Sequence, residues 1–393
     1  MVGRPNRAAR PVAPLDEWRR ARRMEDAPVT MNAARPPVLA PPLPGPEEFA
    51  ALSPSRREEA VRATPGSSGW GETVRIALLL GRPRTCVPGM LTFALGWTVA
   101  GGRLSGLFFA GLGISLVYGL LANTYNAYTD LAEDSRNLPG RVWQVMRIGH
   151  RRLLWISHAM SAALIGASLF YSWAYVVPMT LALVGAHQYS FLPGRLKARP
   201  VTGLFAFSLA VFGPYLLGYF AAPTGVRRLT ADAWAILAFL IVWFVAKGMV
   251  KNLPDYEGDR DAGLRTSATV FPDRTSAARA ATVVTLIGYL SLTGFVLAGA
   301  LPLRTLAALP WAVAAFQQCR AMIRAVDNRA ANAVLKADML LSTAFLASVL
   351  VLRTPGWVTA LSVLIGAAIL FGSDSLALDS RRGRDGAPAP RSA

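Results

Sequence analysis

Two cysteines and three histidines are the only thiolate or imidazole metal ligands in 393 residues, and they are scattered. Cys86 and Cys319 are too few for a disulfide framework and lack the paired spacing of a zinc site. Each sits in or beside an apolar run, where a small buried hydrophobe is the plain reading. His150, His158 and His187 form no ligand cluster. A metal bound here is therefore held by oxygen, which favours Mg²⁺ over zinc. Charge is also scarce. Charged residues make up 16% of the chain and hydrophobic ones 53%, whereas roughly a quarter of an ordinary soluble domain is charged. The net charge of +18 would suit nucleic acid, but the basic residues lie in the tails and between apolar runs, not interleaved with aromatics. That distribution excludes a nucleic-acid partner and matches the loops of a membrane protein. Residues 1–70 have no apolar core of the kind a cleavable signal peptide needs. They are rich in Pro, Ala and Arg and are expected to be a disordered basic tail.

Long apolar runs are present in quantity. They fall at about 86–102, 104–128, 151–171, 173–190, 202–221, 231–253, 277–299, 303–319, 334–352 and 356–373. Each approaches the ~20 residues needed to cross a bilayer, the eighth being short. The expected fold is all-α, a polytopic bundle of nine to ten transmembrane helices over residues 75–373. The links near Arg136–Arg152, Arg195–Arg199, Lys251–Arg274 and Arg320–Lys336 carry most of the basic charge. The positive-inside rule then places those links, the Asp130/Asp134 loop and the N-terminus in the cytoplasm, and the high Arg, Ala and Pro content points to a GC-rich bacterial genome and so to a bacterial plasma membrane.

Two acidic clusters interrupt the apolar pattern. Asn126, Asp130 and Asp134 follow each other at intervals of four, a spacing that stacks side chains on one helical face. Like charges there repel each other and oppose the macrodipole at a helix C-terminus. A bound divalent cation removes both objections. Asp255 and Asp259 repeat the spacing at the end of the sixth run, on the same expected membrane face. Pro254 disturbs the helix there, and Gly258 and Gly263 permit turns. Two carboxylate pairs on one side suit two or more hard cations with phosphate between them.

Basic residues accompany them. Arg195 and Lys197, in Tyr189-Ser190-Phe191-Leu192-Pro193-Gly194-Arg195-Leu196-Lys197, and Arg82 and Arg84 before the first run, are candidates for clamping a diphosphate. Lys251 lies four residues before Asp255. Tyr189 reads equally as a core residue or a phosphate hydrogen-bond donor.

These residues resemble the UbiA superfamily of intramembrane prenyltransferases. The two aspartate runs look like its two aspartate-rich motifs, each at the end of an even-numbered helix. Asn137-Leu138-Pro139-Gly140-Arg141 is similar to the Asn-x-Pro-x-Arg run after the first motif. Gly258-Asp259-Arg260-Asp261-Ala262-Gly263-Leu264-Arg265-Thr266 resembles the Gly-Asp-Arg-x-x-Gly-x-x-Thr run of the second. The Tyr189–Lys197 segment resembles the family's Tyr-Ser-x-Pro-x-x-x-x-Lys, with Pro193 shifted by one place, and Arg82-Pro83 the Arg-Pro before the first helix. The similarity covers about residues 75–352. Ala127 departs from it, standing where the first motif often carries an additional Asp.

The resemblance implies Mg²⁺ held by Asn126, Asp130, Asp134, Asp255 and Asp259, and an isoprenyl diphosphate held by Arg82, Arg141, Tyr189, Arg195, Lys197 and Lys251. It implies ionisation of the donor and prenyl transfer to an aromatic or lipophilic small-molecule acceptor, with release of diphosphate. The acceptor is left open among a hydroxybenzoate, a quinone precursor, a lipid alcohol, a chlorin, a sugar phosphate and an alkene. Aromatic residues such as Tyr125, Tyr128, Trp243 and Phe244 read either as helix packing or as stabilisers of a cation. A terpene cyclase, quenching the cation with the donor's own alkenes, is the nearest alternative, and a transporter or lipid-binding protein the more distant one.

Overall fold

The computed structural model describes residues 43–224 and 228–380, and among these there is no β-strand. The helices are α1 (Pro46–Ala51), α2 (Pro54–Ala63), α3 (Trp70–Gly81), α4 (Pro83–Val99), α5 (Gly106–Thr129), α6 (Leu131–Asn137), α7 (Pro139–Ile148) and α8 (His150–Ser168). They continue as α9 (Trp173–Ser190), α10 (Pro200–Ala221), α11 (Ala231–Asn252), α12 (Tyr256–Asp261), α13 (Arg274–Leu297), α14 (Pro310–Arg324), α15 (Asn328–Arg353) and α16 (Trp357–Ser375).

Each of the ten expected apolar runs meets one long helix. Six of those helices, α5, α10, α11, α13, α15 and α16, are long and apolar enough to cross a membrane by length and composition. Their apolar residues are not all turned inward: in α16 only 22% of the apolar window is buried within the protein. Leu181, Phe205, Ile287 and Phe371 are all more than half exposed. Such all-round apolarity suits a helix with lipid on its outer face. The eighth run differs from expectation at its start. Residues 303–308 form a 3₁₀ turn, and the helix begins at Pro310, where the missing N–H of proline costs nothing.

The core is built by close backbone approach. A Cβ on Gly96 would lie 2.0 Å from the Tyr215 carbonyl oxygen, and one on Gly218 would lie 1.9 Å from that of Phe93. Glycine at these two positions lets α4 and α10 touch backbone to backbone, as small residues do where helices cross in membranes. Trp97, Phe93, Phe108 and Trp243 fill the surrounding space and are fully buried.

The tail expectation meets a difference. Residues 1–42 lie outside the described residues, but 43–70 carry α1 and α2. Ser53 caps α2 by accepting from the Arg56 N–H at 3.4 Å, with Pro54 at the first helical position. Phe49 and Val61 are fully buried, and the Arg57 guanidinium donates to the carbonyls of Phe49, Ala50 and Ser135. Average composition hid these three anchors.

Candidate active site

Both acidic motifs sit at the same kind of break. Helix α5 ends at Thr129, Asp130 takes φ −90° and ψ 20°, and the seven-residue α6 follows. Helix α11 ends at Asn252, Asp255 takes φ −90° and ψ 0°, and the six-residue α12 follows. Each first aspartate thus occupies the sparsely populated bridge region, and neither side chain is consumed in capping. The i→i+4 bond survives at both breaks: Asp134 N–H donates to the Asp130 carbonyl at 2.8 Å, and Asp259 N–H to that of Asp255 at 2.9 Å.

The motifs meet across a polar cavity lined by Asn126, Asp130, Asp134, Asp255 and Asp259, and by Arg82, Arg141, Tyr189, Lys197 and Lys251. Every candidate metal- or diphosphate-binding residue from the sequence lines it except Arg195 and Arg84. The Arg195 guanidinium instead donates to Glu133 Oε1 at 2.6 Å. Arg84 also lies outside, paired with Asp374 at 2.9 Å. Asn137 ties the two motifs together, its amide donating to the Asp255 carbonyl at 3.4 Å. Gly258 serves close approach rather than a turn, since a Cβ there would lie 2.2 Å from the Asn137 amide nitrogen. Gly263, at φ +72°, makes the turn.

Glu133 also lines the cavity. It is one position off the four-residue ladder but three residues after Asp130, a spacing that keeps both on one helical face. Glu133 Oε1 accepts from Arg195 and, at 3.4 Å, from the Lys197 ammonium, which also bonds Asp130. Glu133 Oε2 is buried with no hydrogen-bond partner among the described residues. Asp134 pairs with Arg141 at 2.6 Å. Burial by itself would raise Asp130, but Lys197 and then Arg141 outweigh it and hold this carboxyl below its ordinary range. Lys197 responds in kind: burial pulls it down, while Asp130 and Glu133 carry it above the usual ammonium value. At Asp259 the charge of Lys251 pulls the carboxyl down but does not prevail. Burial, then the charge of Asp255, pushes that carboxyl up to about 8.

This arrangement fits Mg²⁺. No three Asp, Glu, His or Cys side chains among the described residues gather tightly enough to enclose an ion alone. Mg²⁺ does not require that, since it is typically held by one or two carboxylates plus phosphate oxygens and water. The orphaned Glu133 oxygen and the raised Asp259 carboxyl both mark negative charge in want of a cation.

Beside the polar cavity lies an apolar one. The two share Arg82, Asn123, Asn126, Tyr189 and Lys251, and the second extends past Pro88, Tyr118, Phe207 and Phe244. Of the four aromatic residues singled out in the sequence, only Phe244 lines it. Tyr125 and Tyr128 pack instead with the histidines: Tyr125 bonds His158 at 3.2 Å and Tyr128 stacks on His150 with centroids 4.0 Å apart. Ala127 is buried and lines neither cavity.

A helical bundle of membrane type, with facing carboxylates and basic groups above an apolar chamber, defines the class. The chain belongs to the UbiA prenyltransferase family, whose model matches residues 85–344. A lycopene elongase/hydratase of Corynebacterium glutamicum is 28% identical over 229 residues, covering 56% of this chain and 78% of the relative. Among solved structures, a UbiA homologue from Archaeoglobus fulgidus bound to DMAPP and Mg²⁺ matches at 19% identity with a TM-score of 0.53, covering 71% of this chain and 99% of that one. An apo UbiA homologue from Aeropyrum pernix K1 matches at 14% identity and TM-score 0.50, covering 72% and 98%. At these identities the two structures share the fold.

Proposed function

We propose that this protein ionises an isoprenyl diphosphate at the polar cavity and transfers the prenyl group to a lipophilic acceptor in the apolar one. The observation that carries this reading is the continuity of the two cavities, with oxygen ligands and basic groups in one and apolar walls in the other. Asn126, Asp130, Asp134, Asp255 and Asp259 would hold Mg²⁺, which when bound neutralises the charge that builds on a departing diphosphate. Lys197, Lys251, Arg82 and Arg141 add fixed positive charge around the same oxygens, and the Tyr189 hydroxyl a hydrogen bond. Arg195 acts through Glu133, holding its carboxylate toward the cavity. The prenyl chain lies along the apolar walls, where the allylic cation is kept from water. An isoprenoid hydrocarbon is the acceptor class to which the Corynebacterium relative's name points, and its alkene supplies the attacking electron pair. In this reading all ten long helices cross a bacterial plasma membrane, with the polar cavity at the cytoplasmic face.

The test incubates the purified full chain in nanodiscs with Mg²⁺ and dimethylallyl, geranyl or farnesyl diphosphate, with and without lycopene or an aromatic acid. Diphosphate release is measured and products are resolved by mass spectrometry. A prenylated acceptor is expected. A cyclic hydrocarbon formed without acceptor would identify a cyclase instead. Release undiminished in Asp130→Ala and Asp255→Ala variants overturns the site.

A further inference from the structure

Deep in the apolar cavity sits an ion pair that the diphosphate chemistry does not use. Lys247 Nζ and Asp338 Oδ1 lie 2.8 Å apart, with side chains only 5% and 4% exposed. Lys247 is on α11, one turn below Lys251 and so about 6 Å further from the diphosphate end. Asp338 comes from α15. The ammonium also lies 4.8 Å from the centre of the Tyr289 ring. Both residues line the apolar cavity and neither lines the polar one. Among the described residues, Asp338 is the one carboxylate on the apolar cavity's walls.

Stability does not account for the pair. Burying two charges roughly cancels their attraction, and apolar side chains of similar volume often do as well or better. Ionisable groups within a membrane bundle mark function by default. The reaction proposed above has an unfilled role of this kind. When an acceptor alkene attacks the prenyl cation, its π electrons form the new C–C bond and leave a tertiary carbocation. That cation must lose a proton or capture water before the product can leave.

We infer, resting on the prenyl-transfer reading, that Asp338 is the catalytic base that ends the reaction. The donor C–O bond breaks and its electron pair leaves on diphosphate. The acceptor π pair makes the C–C bond. Asp338 then accepts a proton. Taken from the carbon beside the cation, that proton leaves its C–H electron pair as a new alkene; taken from water adding to the cation, it leaves an alcohol. The proton departs with the released diphosphate. Lys247 is a positioning residue: its ammonium, 2.8 Å from Asp338 Oδ1, fixes the carboxyl group on the cavity wall.

The test uses the full chain in nanodiscs with Mg²⁺, dimethylallyl diphosphate and lycopene. It compares wild type with Asp338→Asn, Asp338→Glu and the charge-free double variant Lys247→Met/Asp338→Leu. Donor binding, diphosphate released and prenylated product are measured separately. The expected result is uncoupling: product per diphosphate released falls on the order of 10²-fold in Asp338→Asn. The coupled cation, left with its proton, breaks the new C–C bond again, and the regenerated prenyl cation takes up water, loses a proton to solvent and leaves as the free alcohol. Asp338→Glu restores part of the product. The double variant, which leaves no charge unpaired, stays uncoupled. Coupling restored in the double variant shows a structural role and overturns the inference, as does an unchanged product ratio in Asp338→Asn beside an active wild type. A wild type that releases no diphosphate from the donor panel overturns the prenyl-transfer reading first, and this inference with it.

Discussion

Lys197 occupies the place where a cation is wanted, and replacing it with methionine separates two effects that a simple loss of charge would merge. Its ammonium bonds Asp130 and lies 3.4 Å from Glu133 Oε1, with the side chain 10% exposed. In the absence of metal, Lys197→Met leaves two carboxylates without their shared partner. Breaking a buried pair costs about 3–5 kcal/mol, and the 20% exposure of the Asp130 side chain puts this site at the lower end, about 3 kcal/mol. Metal binding moves the other way. An incoming Mg²⁺ must displace the ammonium from Asp130, and a charge-assisted hydrogen bond is worth about 1.5–3 kcal/mol. Removing that competitor should tighten binding of Mg²⁺ alone by about 10- to 150-fold, at 1.36 kcal/mol per tenfold. Donor affinity at saturating Mg²⁺ should weaken by a comparable factor, because the displaced ammonium is the group that turns to the phosphates. Thermal melts of the nanodisc protein against Mg²⁺, with and without donor, measure both. Weaker binding of Mg²⁺ alone in Lys197→Met would refute the reasoning, since the lysine would then be supporting the metal and not standing in for it.

Three further outcomes follow from the geometry. Asp259 is pushed up to about 8 by burial first and then by Asp255, from an ordinary 3.8, so the folded chain keeps a proton that the unfolded chain loses. Its contribution to stability is full below pH 3.8 and is lost as pH rises toward 8. Asp130, held low, contributes in the opposite sense and only loses its share in acid. Melting temperature in EDTA should therefore fall from pH 5 to 8 in the wild type and less steeply in Asp259→Asn, while saturating Mg²⁺ flattens the wild-type curve; equal slopes in both proteins would count against the raised carboxyl. At the α4–α10 crossing, Gly218→Ala forces a methyl to within 1.9 Å of the Phe93 carbonyl. It should cost at least 1–3 kcal/mol of overpacking, read as a lower melting temperature with donor binding reduced as well. Gly294→Ala, with nothing within 4 Å of the added methyl, should be neutral or slightly stabilising.

The motif residues were legible because their information is local. Four-residue spacing, a proline and flanking basic residues place Asp130, Asp134, Asp255 and Asp259 at the ends of long apolar helices, where they line one cavity, and a bilayer forces long apolar runs into helices. Glu133 escaped that logic. Its place three residues after Asp130 already suited the same helical face, but the Arg195 and Lys197 contacts that hold it at the cavity are not written in the residue pattern. Arg195 shows the converse: its charge and position suit a phosphate, yet its guanidinium is taken by Glu133. Ala127, conspicuous as a departure from the motif, is buried away from both cavities and leaves their lining intact.

Composition and periodicity were thus enough for the helical, apolar architecture and for most of the residues that line the polar cavity, because each depends on neighbours within one or two turns. The joining of the polar cavity to the apolar chamber was not available at that level. Nor was the pairing of Lys247 with Asp338, 91 positions apart in the chain. Each alone is one charged residue in an apolar run, with many conceivable partners. Packing α11 against α15 selects one of them and turns two isolated charges into a buried base facing the chamber.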